Sequence, residues 1–465
     1  MNFFNELERY AGNTALVTER GLISYGELLD ASQEISRDVE SRSLIFAVCK
    51  NNYESVTGYI GFMRAGAAVA LINDTFDTGL FERLLDAYRP GYIYLPEGKA
   101  SLNIGYKTVR SHGGYKLMRA EAACDYMLHD DLGLLMTTSG STGSPKLVRQ
   151  SYKNIRSNAE AIAQYLEITA SDRSITTMPM SYTYGLSIIN SHLFKGASVI
   201  LTEATLMEKR FWDAIRGGMA TTFGGVPYIY EILKKLRFDR MDIPSLRYIT
   251  QAGGRLTPGL SFEFADICRK KGIRFFTMYG QTEATARMSY LPWEHSRQKA
   301  GSIGIAIPGG RFWLKDESGN IIQENDTPGE LVYEGENVTL GYAENCLDLS
   351  KGDENRGVLH TGDIARRDAD GFYYIVGRKK RFLKMFGSRV NLDEVEEIAK
   401  LAGFECVCGG CDDDMKIFVT ARSNMDRIGD YISGRTGINR SAVTVVHIDK
   451  IPRNESKKVI YSALG

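Results

Sequence analysis

Hydrophobic and polar positions along the chain alternate between two periods. Short apolar runs at 44–48, 67–72 and 132–136 are too brief for helices and predict buried strands. Between the first two, residues 53–64 carry apolar positions at helical spacing, and Gly66 follows them, predicting a helix that closes there. Residues 13–29 alternate around a glycine and then reach Ser24, a good N-cap, which predicts a strand pair followed by a helix. The same strand–helix rhythm continues through 78–94 towards 132–136 and predicts a parallel sheet covered by helices. It resumes with strands at 173–178, 198–201, 220–224 and 246–251, separated by helices at 185–193, 208–216 and 228–236, as a second sheet layered beside the first. Beyond about residue 302 the pattern becomes strict alternation with glycine turns, as at 311–320 and 330–334, predicting a small antiparallel region. Residues from Lys380 onward have strand and helix signals of their own. The expectation is an α/β protein with a large domain over 1–379 and a small α+β domain over 380–465.

Composition narrows the field. The chain has 465 residues, of which 43% are hydrophobic, enough to fill sizeable cores. Lys and Arg total 57 and so do Asp and Glu, so there is no electrostatic footprint for nucleic acid or for an anionic membrane. The first residues lack the basic and apolar regions of a signal peptide, and no apolar run is long enough to span a bilayer. Seven scattered cysteines suit free thiols in a reducing cytoplasm. Cys406, Cys408 and Cys411 do cluster, but no histidine lies near them, and they read as small thiols on a strand and turn rather than as zinc ligands.

One stretch departs from the pattern. The apolar run 132–136 stops in 137–144, which is made only of Thr, Ser and Gly, followed by Pro145, Lys146 and a polar segment of helical character at 151–166. Gly140 and Gly143 let the backbone turn sharply and gather N–H groups on a concave side. Thr137, Thr138, Ser139, Ser141, Thr142 and Ser144 add hydroxyls, and Lys146 adds a positive charge. That suits phosphate oxygens whose charge rearranges, although the Walker A spacing is absent; a plain Ser/Thr/Gly surface turn is the alternative. Further along come Met178-Pro-Met-Ser-Tyr-Thr-Tyr-Gly-Leu186, then Gly224-Gly-Val-Pro227 and Gln251-Ala-Gly-Gly-Arg-Leu256, whose paired glycines let a flat ring approach the backbone or simply make tight turns. Met278-Tyr-Gly-Gln-Thr-Glu-Ala284 follows an apolar run and offers an aromatic face, a hydroxyl and a hard oxygen ligand. His360-Thr-Gly-Asp363 precedes a hairpin that ends at Gly377-Arg378. Near the end stands Ile451-Pro-Arg-Asn-Glu-Ser-Lys-Lys-Val459.

In this order the motifs resemble those of the adenylate-forming enzymes: acyl-CoA synthetases, adenylation domains of peptide synthetases, and luciferases. The resemblance covers nearly the whole chain. It implies that a carboxylic acid is activated with ATP and Mg²⁺ to an acyl-adenylate, and that the acyl group then passes to the thiol of CoA or of phosphopantetheine. Thr137, Thr138, Ser139, Gly140, Ser141, Thr142, Gly143 and Lys146 match the phosphate loop. Gly253 and Gly254 match the adenine-side turn, and Tyr279 a ring beside the purine. Thr282 matches the donor to the α-phosphate and Glu283 the Mg²⁺ ligand. Asp363 and Arg378 match the ribose contacts, Tyr182 and Gly225 the acyl pocket, Lys380 the hinge, Gly387 a loop facing the thiol tunnel, and Lys458 the catalytic lysine.

There are departures. Lys380 stands where many relatives have Asp, Asn454 where Thr is usual, and Lys457 where Gly is usual. Thr183 stands where amino-acid-activating relatives carry an Asp for the ammonium group, so the expected substrate is a small carboxylic acid with no further charge. The basic run 379–384 reads either as a solvated edge or as a contact for CoA phosphates or an acidic carrier protein. No carrier domain is evident in the chain, so CoA or an acyl carrier protein would supply the thiol in trans. A degenerate nucleotide-binding protein without turnover is the reading from another class; it has no use for the pyrophosphate ligands together with Lys458.

Overall fold

The computed structural model describes residues 2–76, 78–102, 105–122, 125–137, 146–385, 388–453 and 459–464. They group into two compact units, one of 1–311 with 334–359 and one of 312–333 with 360–465. Among the described residues no helix is long and apolar enough to cross a membrane.

The first unit is α/β and holds two large sheets. In the eight-stranded sheet, Leu132–Thr137, Ala68–Asn73, Leu44–Cys49 and Tyr92–Pro96 run parallel in that spatial order, and all but their ends are buried. Strands this apolar on both faces need cover on both faces, which is why their sequence does not alternate. The helix Tyr53–Arg64 falls where its periodicity places it, capped by the Asn52 side chain, which accepts from the Ser55 N–H.

The nine-stranded sheet places Arg173–Ile175, Thr222–Gly225, Tyr248–Gln251 and Arg274–Tyr279 side by side and parallel, with Ser198–Ile200 beyond the first. Two features depart from the sequence reading. The N-terminal pair Thr14–Thr18 and Gly21–Ser24 does not join the sheet that follows it in the chain. It pairs with Ser198–Ile200 at the edge of the other sheet, where Tyr25 is buried and donates to the Ala197 carbonyl at 2.7 Å. Nor does the Ser/Thr/Gly stretch lead directly into a helix. The chain first returns as the strand Leu147–Ser151, antiparallel to Leu132–Thr137 with Thr137 opposite Leu147, and only then forms the helix Tyr152–Tyr165. Every residue of that short strand is buried, and Ser151 ends it as the helix N-cap.

In the second unit a four-stranded sheet includes Gly329–Glu334, Val358–Arg367 and Tyr373–Arg378, of which the last two pair antiparallel. A three-stranded sheet of Cys406–Cys411, Asp414–Val419 and Val443–His447 packs with the helices Leu392–Leu401 and Met425–Thr436 around Val395, Ile417, Ile428 and Ile432.

The helix Thr183–Phe194 is buried on every side, so its polar residues must be paired internally. His192 hydrogen-bonds the Ile188 carbonyl through Nδ1 at 2.8 Å, and burial holds its pKa down at about 4. The unfolded chain takes up this proton near pH 6.5 and the folded chain near 4, so His192 makes stability rise with pH across that window. In urea titrations, the stability advantage of the wild type over His192→Gln should shrink by a few kcal/mol as pH falls from 6.5 to 4. A difference that stays constant across the window would show that His192 is not held neutral.

Candidate active site

In an open parallel sheet, loops leaving the carboxyl ends of adjacent strands converge and form the usual binding crevice. Gly225 and Gln251 are paired across two such strand ends, and Gln251 is paired in turn with Thr277, two residues before Tyr279. The turns 224–227, 251–256 and 279–284 therefore leave the same edge. The Gln251 side chain ties the middle turn by donating to the Gly254 carbonyl at 2.8 Å. Gly253 adopts φ +79°, and a Cβ there would sit 2.5 Å from Tyr182 Oη. The residue needs to be glycine both for its left-handed backbone and for the approach of Tyr182. Tyr182 is half-buried, and its phenol is pushed up to about 12 by burial and by neighbouring Tyr184, against the opposing charge of Arg287. Tyr184, by contrast, is a core aromatic as its sequence context suggests: 3% exposed, with its hydroxyl donating to the Thr250 carbonyl at 2.9 Å.

Two distant stretches meet through a residue that the sequence does not single out. The strand Gly341–Ala343 pairs with Leu147–Ser151 and brings Tyr342 beside Lys146. Lys146 Nζ lies 3.7 Å from the centre of the Tyr342 ring, and Tyr342 Oη donates to Glu283 Oε1 at 2.6 Å. A cation from the end of the phosphate-loop motif and a carboxylate from 278–284 thus flank one phenol, whose proton is held firmly by burial and by the Glu283 charge. Arg149 secures this strand. It is fully buried and donates to the carbonyls of Tyr342, Leu340, Lys351 and Gly352 and to Glu354 Oε2.

Glu283 is followed by strained backbone. Thr285 has φ +65° and ψ −61°, and the Ala286 N–H donates to the Ala284 carbonyl at 2.7 Å. This is a tight γ-turn centred on a β-branched residue, a conformation that costs about 1–3 kcal/mol and survives only where its surroundings impose it. Asn337 supplies much of the constraint. Its carbonyl accepts from Thr285 Oγ1 at 2.8 Å, and its amide donates to the carbonyls of Ala284 and Arg287, each at 2.9 Å.

In the second unit, Asp363 and Arg378 stand directly opposite each other on paired strands, with Arg378 Nε 3.3 Å from Asp363 Oδ1. The pair is unequal: the Asp363 side chain is 6% exposed and that of Arg378 62%. The basic run does not form a uniform solvated edge. Lys379 pairs with Glu330 at 2.9 Å, and Arg381 turns inward to Asp393 at 2.8 Å and Glu396 at 2.6 Å. Burial raises the Glu396 carboxyl even against that charge.

Of the residues singled out in the sequence, Tyr182, Gly225, Gly253, Gly254, Tyr279, Thr282, Glu283, Thr137 and Lys146 lie in the first unit and Asp363, Arg378 and Lys380 in the second. Thr138, Ser139, Gly140, Ser141, Thr142, Gly143, Gly387 and Lys458 lie outside the described residues. Tyr342, Arg149 and Arg287 went unnoticed in the sequence; only a lone charged residue inside a small-residue run (Ala284-Thr-Ala-Arg287) hinted at the last. Among the described residues no three His, Cys, Asp or Glu side chains gather as a metal cage. Glu283 alone fits Mg²⁺ in its usual mode, one carboxylate completed by substrate phosphates and water.

The AMP-binding enzyme family matches residues 3–343. An oxalate–CoA ligase of Arabidopsis thaliana is 29% identical over 371 residues, covering 75% of this chain and 71% of that protein. A 2-succinylbenzoate–CoA ligase of Bacillus subtilis (strain 168) is 25% identical over 470 residues, covering 97% of this chain and 94% of that protein. Among solved structures, O-succinylbenzoate coenzyme A synthetase from Bacillus subtilis in complex with AMP superposes with a TM-score of 0.81 at 22% identity, over 100% of this chain and 98% of that one. ATP-bound MatB from Rhodopseudomonas palustris gives 0.81 at 21% identity, over the same shares, and both likenesses establish the fold. With the family match spanning most of the chain and the strand-end turns carrying its motifs, this protein belongs to the AMP-binding enzyme family.

Proposed function

We propose that the protein is an ATP-dependent acid–thiol ligase that activates a small carboxylic acid as its acyl-adenylate and then transfers the acyl group to CoA. The observation that carries this reading is the Lys146–Tyr342–Glu283 contact: a cation lies over the face of one ring, and the hydroxyl of that ring donates to a carboxylate, the two groups that the reading assigns to phosphate and to Mg²⁺. CoA is favoured over a carrier protein because the curated relatives that this chain spans over two thirds or more of their length are named CoA ligases. The enzyme is an acyl-adenylate-forming ligase. A substrate carboxylate oxygen attacks the α-phosphorus of ATP, the bond to the bridging oxygen breaks, and pyrophosphate leaves. The thiol sulfur then attacks the acyl carbon and AMP leaves.

Catalysis of this kind is positioning and charge stabilisation. The loop residues Thr137 to Gly143 and Lys146 hold the departing pyrophosphate. Glu283 would hold Mg²⁺, which supplies charge neutralisation when bound. Thr282 donates to the α-phosphate, Tyr279 with Gly253 and Gly254 lines the purine, and Asp363 with Arg378 holds the ribose. Tyr182 and Gly225 border the acyl group. Lys458 bridges carboxylate and α-phosphate. The small domain 380–465 then turns about Lys380 and presents Gly387 to the incoming thiol. ATP–pyrophosphate exchange across a panel of carboxylic acids, repeated with CoA present, tests the whole scheme, and absence of exchange with every acid overturns it.

Three outcomes follow from these roles. Thr183, 8% exposed at the start of its helix, offers an ammonium group no charge, so α-amino acids should exchange more slowly than their deaminated analogues. The reverse preference would remove Thr183 from the pocket. Asp363→Ala should weaken ATP binding in calorimetry by a few kcal/mol, since bonds to a charged acceptor are each worth about 1.5–3 kcal/mol; unchanged affinity would make the carboxylate a structural partner of Arg378. Lys458→Ala should slow adenylate formation roughly 100-fold or more, as loss of one preorganised stabilising donor does, yet still form thioester from pre-made acyl-adenylate and CoA. Lys457→Ala should affect neither step strongly. An essential Lys457 beside a dispensable Lys458 would shift the register of the motif by one.

A further inference from the structure

Burying a guanidinium is costly unless an anion or a full set of acceptors replaces water. Among the described residues three arginines are buried, and two meet this requirement. Arg149 has four carbonyls and Glu354, and Arg381 has Asp393, Glu396 and the Cys408 carbonyl. Arg287 does not. It is 2% exposed, and no carboxylate among the described residues pairs with it. Its Nη2 donates to Ser187 Oγ at 3.0 Å, Nη1 lies against the Met278 sulfur, and its carbon stands 4.1 Å from the centre of the Tyr184 ring. Its buried Nε has no hydrogen-bond partner. A neutral hydroxyl, a thioether and a ring face leave a full positive charge uncompensated.

The position is imposed rather than accidental. The backbone of Arg287 is held by Asn158, which donates to its carbonyl at 2.8 Å, and by Asn337 on the same carbonyl, directly after the strained turn at Thr285. The guanidinium is also beside the acyl-pocket side of the site. It stacks on Tyr184, whose ring meets that of Tyr182 edge-on with centroids 6.4 Å apart. Its partners Ser187 and Asn158, with Thr183, border a cavity of about 10 Å³, the size of one water.

We propose that Arg287 is the receptor for a second carboxylate on the acyl substrate, so that this ligase takes a dicarboxylic acid and adenylates the carboxyl group remote from Arg287. The inference rests on the adenylation reading and sharpens it, replacing the uncharged acyl group expected from Thr183 alone with an anionic one. A carboxylate offers the planar, two-oxygen geometry that a guanidinium fork matches, and Nε with one Nη presents such a fork. An ammonium group in this place meets repulsion, in keeping with the absence of an acidic residue at Thr183.

The test is pyrophosphate exchange with matched pairs: short dicarboxylic acids and the monomethyl ester of each. The wild type should prefer the diacid in kcat/KM by about 100-fold, the range expected when a charged hydrogen-bonded partner is lost. In Arg287→Met that ratio should collapse towards unity, mainly through KM for the diacid, while Arg287→Lys should restore part of it because the charge remains and the fork is lost. Thermal unfolding of each variant establishes that it is folded, and the substrate ratio is insensitive to the amount of active enzyme. Exchange with monoesters as fast as with diacids in the wild type overturns the role of Arg287 and leaves the ligase reading standing. An unchanged ratio in Arg287→Met does the same. Exchange with neither class overturns this proposal, and the ligase reading falls with it only when every other carboxylic acid of the panel also fails.

Discussion

The site depends on one buried cation and what it grips. Arg149 sits on the strand that follows the Ser/Thr/Gly stretch, is fully buried, and binds four carbonyls and one carboxylate from residues 340–354. Removing a partner from such a cluster leaves a charge stranded away from water, so the cluster holds as a unit. It brings in the strand Gly341–Ala343 and with it Tyr342. Gly341 fits this arrangement because its φ is +119° and a Cβ would lie 2.6 Å from Glu354 Oε2 and 3.1 Å from Arg149 Nη2. The consequence is topological. Residues 334–359 belong to the first unit although the chain on either side of them belongs to the second.

The same segment reaches residues 283–287. The Thr339 N–H donates to the Glu283 carbonyl at 3.0 Å, and Asn337 holds the γ-turn at Thr285. Strain at Thr285 persists because three hydrogen bonds over-determine it. What the strain achieves is direction. Glu283 leaves one side of the turn towards Tyr342 and Lys146, and Arg287 leaves the other into the interior beside Tyr184. Gly280, inside the motif, allows the turn to close, since a Cβ there would lie 1.7 Å from the Ala286 carbonyl.

Adenylate formation builds negative charge on a departing pyrophosphate, so placed positive charge favours it. The chain supplies it in graded settings. Lys146 is half-buried on an aromatic face, Arg378 is exposed beside a buried Asp363, and Arg287 is enclosed with neutral neighbours. The three settings differ in exposure and in compensation, so an anion would be held differently in each.

Much of the fold was legible in the sequence because it follows from local physics. The helix Tyr53–Arg64 and the strands at 44–49 and 68–73 appear where apolar spacing, an N-cap and a closing glycine place them. The turns at 224–227, 251–256 and 279–284 were visible as glycine-bearing breaks after apolar strands, since a break of that kind is a property of a few consecutive residues. Partnership was not legible. That the first hairpin joins the far sheet, that a return strand follows the Ser/Thr/Gly stretch, and that residue 342 lands beside residues 146 and 283 are all settled by packing between segments rather than within them. The charge on Arg287 was written in the chain, but its isolation was not. An arginine in a short run of small residues looks like any surface arginine, and only the tertiary structure removes water from it without providing an anion.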